Sequence, residues 1–313
     1  MIIGPVPAAR RTSSERTDPS ACHLPSGNPA RLAQGTTRDR DSLSHTQVAG
    51  LLDDLHNTLQ DRFGESDERR LDSRLPSTVV VPVRFHVLAS GDQGRLSRAA
   101  VDLQIAALNG AYSGRTGGAD TGVSFRLVDV GVTNNADWFA DPRGNETALK
   151  TALRRGGPGT LNLYSGEVGS DVLGVSTFPQ WYRVRPVLDG VMIDYRSIPG
   201  GVYPHFNRGY TAVHEVGHWL GLLHTFENGC DSPGDAVDDT PYEALPTQGC
   251  PSPKNTCWAP GDDPVHNFMD YGFDACMHEF TADQGRRIRS VWAAYRAHGA
   301  GSVLVARTQR QRR

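Results

Sequence analysis

The stretch that most constrains this chain is His214-Glu215-Val216-Gly217-His218-Trp219-Leu220-Gly221-Leu222-Leu223-His224. Residues four apart lie on one face of a helix, so His214 and His218 can offer imidazole nitrogens to a single ion. Glu215 stands beside the first of them, where a carboxylate can take a proton from a metal-bound water. Two histidines leave a tetrahedral zinc site incomplete. On a continuing helix His224 would point elsewhere, but Gly221 accepts the positive φ that ends a helix and turns the chain sharply. The turn is expected to bring His224 back beneath the ion. Three histidines and one open position suit a hydrolytic zinc centre rather than a purely structural one.

A chain of 313 residues holds one large domain or two small ones. Its 34 glycines and 20 prolines fit a loop-rich globular protein better than a helical bundle. A net charge of −3 leaves no electrostatic footprint for nucleic acid. No apolar run reaches the roughly 18 residues of a membrane span. Protein or peptide substrates are the partners expected. The start, Met1 to Arg10, is too short and proline-broken for a signal peptide. Cysteine usage nevertheless argues for an oxidising compartment. Cys230, Cys250, Cys257 and Cys276 cluster after the zinc motif and Cys22 stands alone. Secretion is therefore expected, from an incomplete start or by non-standard export. Four cysteines allow three pairings, among which the spacing does not choose.

Residues 1–42, rich in Arg, Ser, Thr, Pro and Gly, read as disordered or extended. Ser44-His45-Thr46-Gln47 fits a capping box. Val48, Leu51, Leu52, Leu55 and Leu59 then mark the apolar face of a helix that Phe63-Gly64 ends. The charged stretch Glu68, Arg69, Arg70, Asp72 and Arg74 reads as a linker open to cleavage. These features divide the chain into a prosegment (1–75), a catalytic domain (76–300, split into 76–221 and 222–300) and a basic tail (301–313). The catalytic part opens on a strand alternating from Val79 to Val87, where Pro82 suggests an edge or terminal strand. Val101, Ile105 and Leu108 mark a helix, and Val123 to Leu127, Leu161 to Tyr164 and Val191 to Ile193 mark further strands. Residues 174–179 read as the edge strand over the cleft, able to pair with an extended peptide. The fold class is α/β (α+β): a twisted sheet with an active-site helix, then an irregular cysteine-rich part. Thr281 should cap a last helix carrying Ile288, Val291, Trp292 and Tyr295.

Several motifs carry a family likeness. Leu161-Asn162-Leu163-Tyr164, Gly174-Val175-Ser176-Thr177-Phe178-Pro179, Asp239-Thr240-Pro241, Asn267-Phe268-Met269-Asp270-Tyr271 and Cys276-Met277-His278-Glu279-Phe280-Thr281 accompany the histidine motif. Together they resemble the pappalysin branch of the metzincin zinc endopeptidases, over roughly residues 78 to 298. The resemblance implies a metzincin-like fold and the disulfides Cys230–Cys257 and Cys250–Cys276. It places Met269 on a turn beneath the three histidines. It gives Tyr271 a hydroxyl that donates to the developing oxyanion. It sets Asp274 at the floor of the pocket for the residue after the scissile bond, favouring Arg or Lys there. It also implies structural calcium around Asp235, Asp238, Asp239 and Thr240. In many such zymogens a prosegment cysteine blocks the open zinc position, a part that Cys22 could take. Arg307, Arg310, Arg312 and Arg313 would then be self-cleavage sites, like the basic residues of 65–75. Plainer readings stand beside these: Met269 and Tyr271 as core, Asp274 as a turn cap, the acidic patch as a solvated turn, and Cys22 as a free or interchain thiol. The expected activity is that of a secreted zinc endopeptidase, monomeric once the prosegment is removed. A silent zinc-stabilised binding module and a zinc amidase on small molecules are the rivals.

Overall fold

The computed structural model describes residues 30–32, 43–169 and 172–297. The expected disorder of residues 1–42 therefore falls almost wholly outside the described residues. Helix α1 (His45–Phe63) begins where the Ser44 hydroxyl accepts the Gln47 N–H and the Gln47 side chain accepts the Ser44 N–H. It ends at Gly64, whose φ of 66° is left-handed. The charged stretch that follows is a short helix, α2 (Glu68–Asp72), capped by Asp67. Leu71 is buried in one cluster with Leu55, Leu59, Val291 and Ala294. Glu68 pairs with Arg287 and Asp72 with Arg289, both at 2.8 Å. The stretch read as a linker is thus helical and packed, because its charges meet partners more than 200 residues away.

Six strands form one sheet: β1 (Ala30–Leu32), β2 (Val79–Ala89), β3 (Val123–Asn134), β4 (Leu161–Gly166), β5 (Val172–Ser176) and β6 (Val191–Asp194). Their order is β1-β5-β6-β4-β2-β3. The β6-β4-β2-β3 block is parallel, while β5 runs antiparallel to β6 and β1 antiparallel to β5. Helices α3 (Arg98–Tyr112), α4 (Ala136–Ala140) and α5 (Glu146–Leu153) occupy the connections. β2 is central, not the edge or terminal strand that Pro82 suggested. The reason is local: β4 pairs with β2 only from Val83 onward, so on that side Pro82 has no ladder bond to break. The stretch read as an edge strand over residues 174–179 falls in β5, which begins at Val172, ends at Ser176 before a 3-10 turn at Pro179, and is paired on both sides, by β1 and β6.

Helix α6 (Tyr210–Trp219) packs on β5, β6 and α3 and is buried from Thr211 to Trp219. Val213, Val216 and Trp219 join Val83, Phe85, Leu108, Leu163 and Ile193 in the main core. The last helix, α7 (Ala282–Val291), starts at a capping box between Thr281 and Gln284 and continues into a π-helical turn, Trp292–Arg296. From that turn the fully buried Arg296 guanidinium lies 3.6 Å over the Trp219 ring. It donates to Trp219 O at 2.8 Å and to the Asp189 carboxylate at 3.1 Å. Asp189 also accepts from Trp219 Nε1, so the C-terminal end of α6 is tied to α7 by a satisfied buried ion pair.

Val48, Leu55, Leu59 and Leu71 are buried, so α1 and α2 contribute about 6 kcal/mol or more of apolar burial. A chain beginning at Leu43 is expected to melt as the full chain does. One beginning at Pro76 should melt far lower or fail to fold; equal melting temperatures would show that α1 and α2 are dispensable.

Candidate metal centre and active site

Helix α6 has an abrupt end. Leu222 N–H donates to Gly217 O and Gly221 N–H to His218 O, both at 2.9 Å, and Gly221 has φ 94°. This is the bond pattern of a Schellman motif, in which the residue past the cap takes the left-handed conformation. A side-chain carbon at Gly221 would stand 2.7 and 2.8 Å from the two methyl carbons of Val291. Both the conformation and the space demand glycine here. The reversal carries His224 back as expected: His218 Nε2 is 3.1 Å from His214 Nε2 and 3.1 Å from His224 Nε2.

The opposite face of each ring decides what these nitrogens are. His214 Nδ1 lies 2.7 Å from Phe268 O and His218 Nδ1 2.8 Å from Leu222 O. Carbonyls only accept, so each Nδ1 carries the hydrogen and each Nε2 of a neutral ring keeps its lone pair. His224 Nδ1 faces the Glu227 carboxylate at 3.3 Å in the same sense. Burial, and then the neighbouring His224, hold the His218 pKa well below its usual value, which favours the neutral ring. Three lone pairs therefore converge on one point. Nitrogens on a tetrahedral zinc at ~2.0 Å would stand roughly 3.3 Å apart, so the donor set fits zinc. Among the described residues these are the one group of three or more His, Cys, Asp or Glu side chains whose donor atoms come together, within 4.8 Å.

Glu215 is fully buried beside this centre. Its side chain lies against the backbone of β5: a side-chain carbon at Gly174 would be 2.7 Å from Glu215 Cγ and 2.9 Å from Oε1. Gly174 is thus the room the carboxylate needs. Met269 lies on the opposite side of α6, where a side-chain carbon at Gly217 would run into its sulfur. The Tyr271 hydroxyl is 3.0 Å from His224 Nε2, so its phenol reaches the metal centre. Asp274 is buried, and its Oδ2 accepts the Arg208 N–H at 2.8 Å just ahead of α6. That bond ties the 274 turn to the segment ahead of α6, 66 residues away in sequence. Both expected disulfides, Cys230–Cys257 and Cys250–Cys276, are present.

The acidic patch does not gather at one point. Asp235 is buried and accepts the Thr240 hydroxyl at 2.7 and 2.8 Å, and burial pushes its pKa up to about 7. Asp238, by contrast, faces outward onto Arg69, and Asp239 accepts the Asp283 N–H. Cys22, Arg307, Arg310, Arg312 and Arg313 lie outside the described residues. Two contributors escaped the sequence reading. Glu227 follows His224 by three residues, a spacing that could have shown it. Gly174 heads one of the motifs that carry the family likeness, but its role as room for a carboxylate depends on a residue 41 positions away and was not readable from it.

Known proteins resemble this chain over most of its length. A family model described as "Pregnancy-associated plasma protein-A" matches residues 203–293. An extracellular metalloprotease of Neurospora crassa is 40% identical over 236 residues, covering 72% of this chain and 78% of that protein. An extracellular metalloprotease of Pyricularia oryzae is 43% identical over 227 residues, covering 71% and 77%. Among solved structures, mature mirolysin of Tannerella forsythia in complex with a cleaved peptide superposes with a TM-score of 0.62 at 28% identity. That match covers 69% of this chain and 92% of mirolysin.

The Gly221 turn yields a direct expectation. Gly221→Ala should cost about 1–3 kcal/mol of stability and displace His224, so that zinc is lost on dialysis. Metal content per chain and thermal melting check this; an alanine variant that retains one zinc and melts as the parent does would refute it.

Proposed function

This chain belongs to the pappalysin family of metzincin zinc endopeptidases, and from that premise we propose that it cleaves extended polypeptides outside the cell before Arg or Lys. The observation that carries the peptidase reading is the convergence of three imidazole lone pairs beside a buried carboxylate. His214, His218 and His224 would hold a zinc ion, which when bound would supply a Lewis acid and an acidified water. Glu215, set between α6 and Gly174, takes the proton of the attacking water and returns it to the departing amine. The Tyr271 phenol donates a hydrogen bond to the oxygen on which charge develops.

Substrate binding by strand addition is supported by β5, which already accepts a strand: β1 pairs with it antiparallel, Ala30 opposite Val175 and Arg31 opposite Gly174. While β1 stays there the edge is taken, which supports latency residing upstream of Leu43. The two disulfides and the extracellular metalloproteases among its relatives support action in an oxidising compartment. A basic preference rests on Asp274, a buried carboxylate three residues past Tyr271. The bond from Arg208 N–H orients it. An ammonium or guanidinium reaching it would form a charge-assisted bond.

Glu215→Ala should keep zinc and lose at least about a hundredfold in cleavage of an unfolded protein such as casein. Near-parental turnover would end the mechanism and favour a binding module or an amidase. In a peptide library the parent should cut before Arg or Lys, and Asp274→Ser should lose that preference while still cutting. An unchanged profile in Asp274→Ser would remove Asp274 from specificity.

A further inference from the structure

The irregular half contains a cation of its own. Lys254 lies between Cys250 and Cys257, and its side chain is mostly enclosed. Its Nζ is surrounded by oxygen: Glu243 Oε1, Leu245 O, Thr247 Oγ1 at 3.1 Å and Asp263 Oδ2 at 3.1 Å. Two carboxylates, a carbonyl and a hydroxyl around one point are the donors that hard cations take. Here an ammonium fills the place.

The residues of this cage lead to the active centre by two routes. Glu243 Oε2 accepts the Thr225 hydroxyl at 2.7 Å, and Thr225 follows the ligand His224. Thr247, which donates its hydroxyl to Glu243, donates its N–H to Asp270 Oδ1 at 2.9 Å. The same Asp270 oxygen accepts the Tyr271 N–H at 2.7 Å. The other, Oδ2, is buried as well. Glu243 and Asp270 are both fully buried. Burial and then mutual repulsion push the Glu243 pKa up to about 7, and burial raises that of Asp270. Burial pulls Lys254 down, but Glu243, Asp270 and Asp263 outweigh it and hold the ammonium above its usual pKa.

We propose that Lys254 is a positioning residue, its ammonium serving as the resident cation of an oxygen cage that holds the Thr225 and Asp270 backbones, and through them His224 and Tyr271, in their working places. The idea rests on the peptidase reading for its kinetic consequence only. Without the ammonium, Glu243 and Asp270 face each other buried and uncompensated, so the segments they hold should shift.

Lys254→Ala removes the ammonium from the cage and none of its oxygen donors. Its kcat on a library-derived peptide should fall about ten- to a hundredfold with KM little changed, as misplacement of catalytic groups does. Methylammonium should restore much of the lost kcat and raise the melting temperature of this variant; tetramethylammonium, too large and without N–H donors, should do neither. The melting shift is read without any turnover, so it stands or falls independently of the peptidase reading, which parental cleavage tests. If Lys254→Ala does not fold, Lys254→Met and Lys254→Met/Glu243→Gln replace it. Removing the anion together with the cation should then recover stability and kcat relative to Lys254→Met alone. A Lys254→Ala protein with parental kcat, a loss that methylammonium leaves untouched, or a double variant no better than the single one would each overturn the proposal.

Discussion

Three imidazoles pointing their Nε2 atoms at one another are an unfavourable arrangement, and this molecule is built to enforce it. Phe268 O, Leu222 O and Glu227 each occupy an Nδ1, which removes the tautomer that would let the rings bond to each other. The Tyr271 hydroxyl, 3.0 Å from His224 Nε2, relieves part of the conflict, and a positive ion at the centre would relieve the rest. A metal bound by the folded arrangement alone would add its binding free energy to the stability of the fold. The short reach of α6, the glycine that ends it and the methionine beneath it all serve the same convergence.

The two halves of the chain meet this demand by different physics. From β2 to α6 the structure is periodic, and apolar burial against a mostly parallel sheet fixes Glu215, His214 and His218. Beyond Gly221 there is little repeating structure until α7. Position is set there by two disulfides and by side chains bonding to backbone, with Asp270 and Thr225 as the nodes nearest the centre. His224 and Tyr271 thus hang on polar contacts, which lose their worth when a single partner is missing.

What could be read from the sequence was what short-range chemistry decides. The i and i+4 histidines, the glycine reversal and the capping boxes at Ser44 and Thr281 each depend on residues within a turn or two, and each is found in the structure. The disulfide pairs came from likeness to a family, since spacing left three choices open. Long-range matters stayed hidden. Pro82 suggests an edge or terminal strand and does not tell that β4 joins one residue later. The charges of 68–72 look like a solvated linker until Arg287 and Arg289 are placed beside them. The acidic run 235–240 reads as one ligand set, yet the turn sends Asp235 inward and Asp238 outward.

The pairing of β1 with β5 has a consequence for measurement. A strand tethered to the same molecule competes at an effective concentration of millimolar order, whatever the dilution of the protein. On the proposed strand-addition mode of binding, peptides and peptide-like inhibitors offered to the intact chain are therefore rivals of a ligand that never diffuses away. Their apparent affinity will report that tether as much as the cleft, until the covalent link to Ala30–Leu32 is cut.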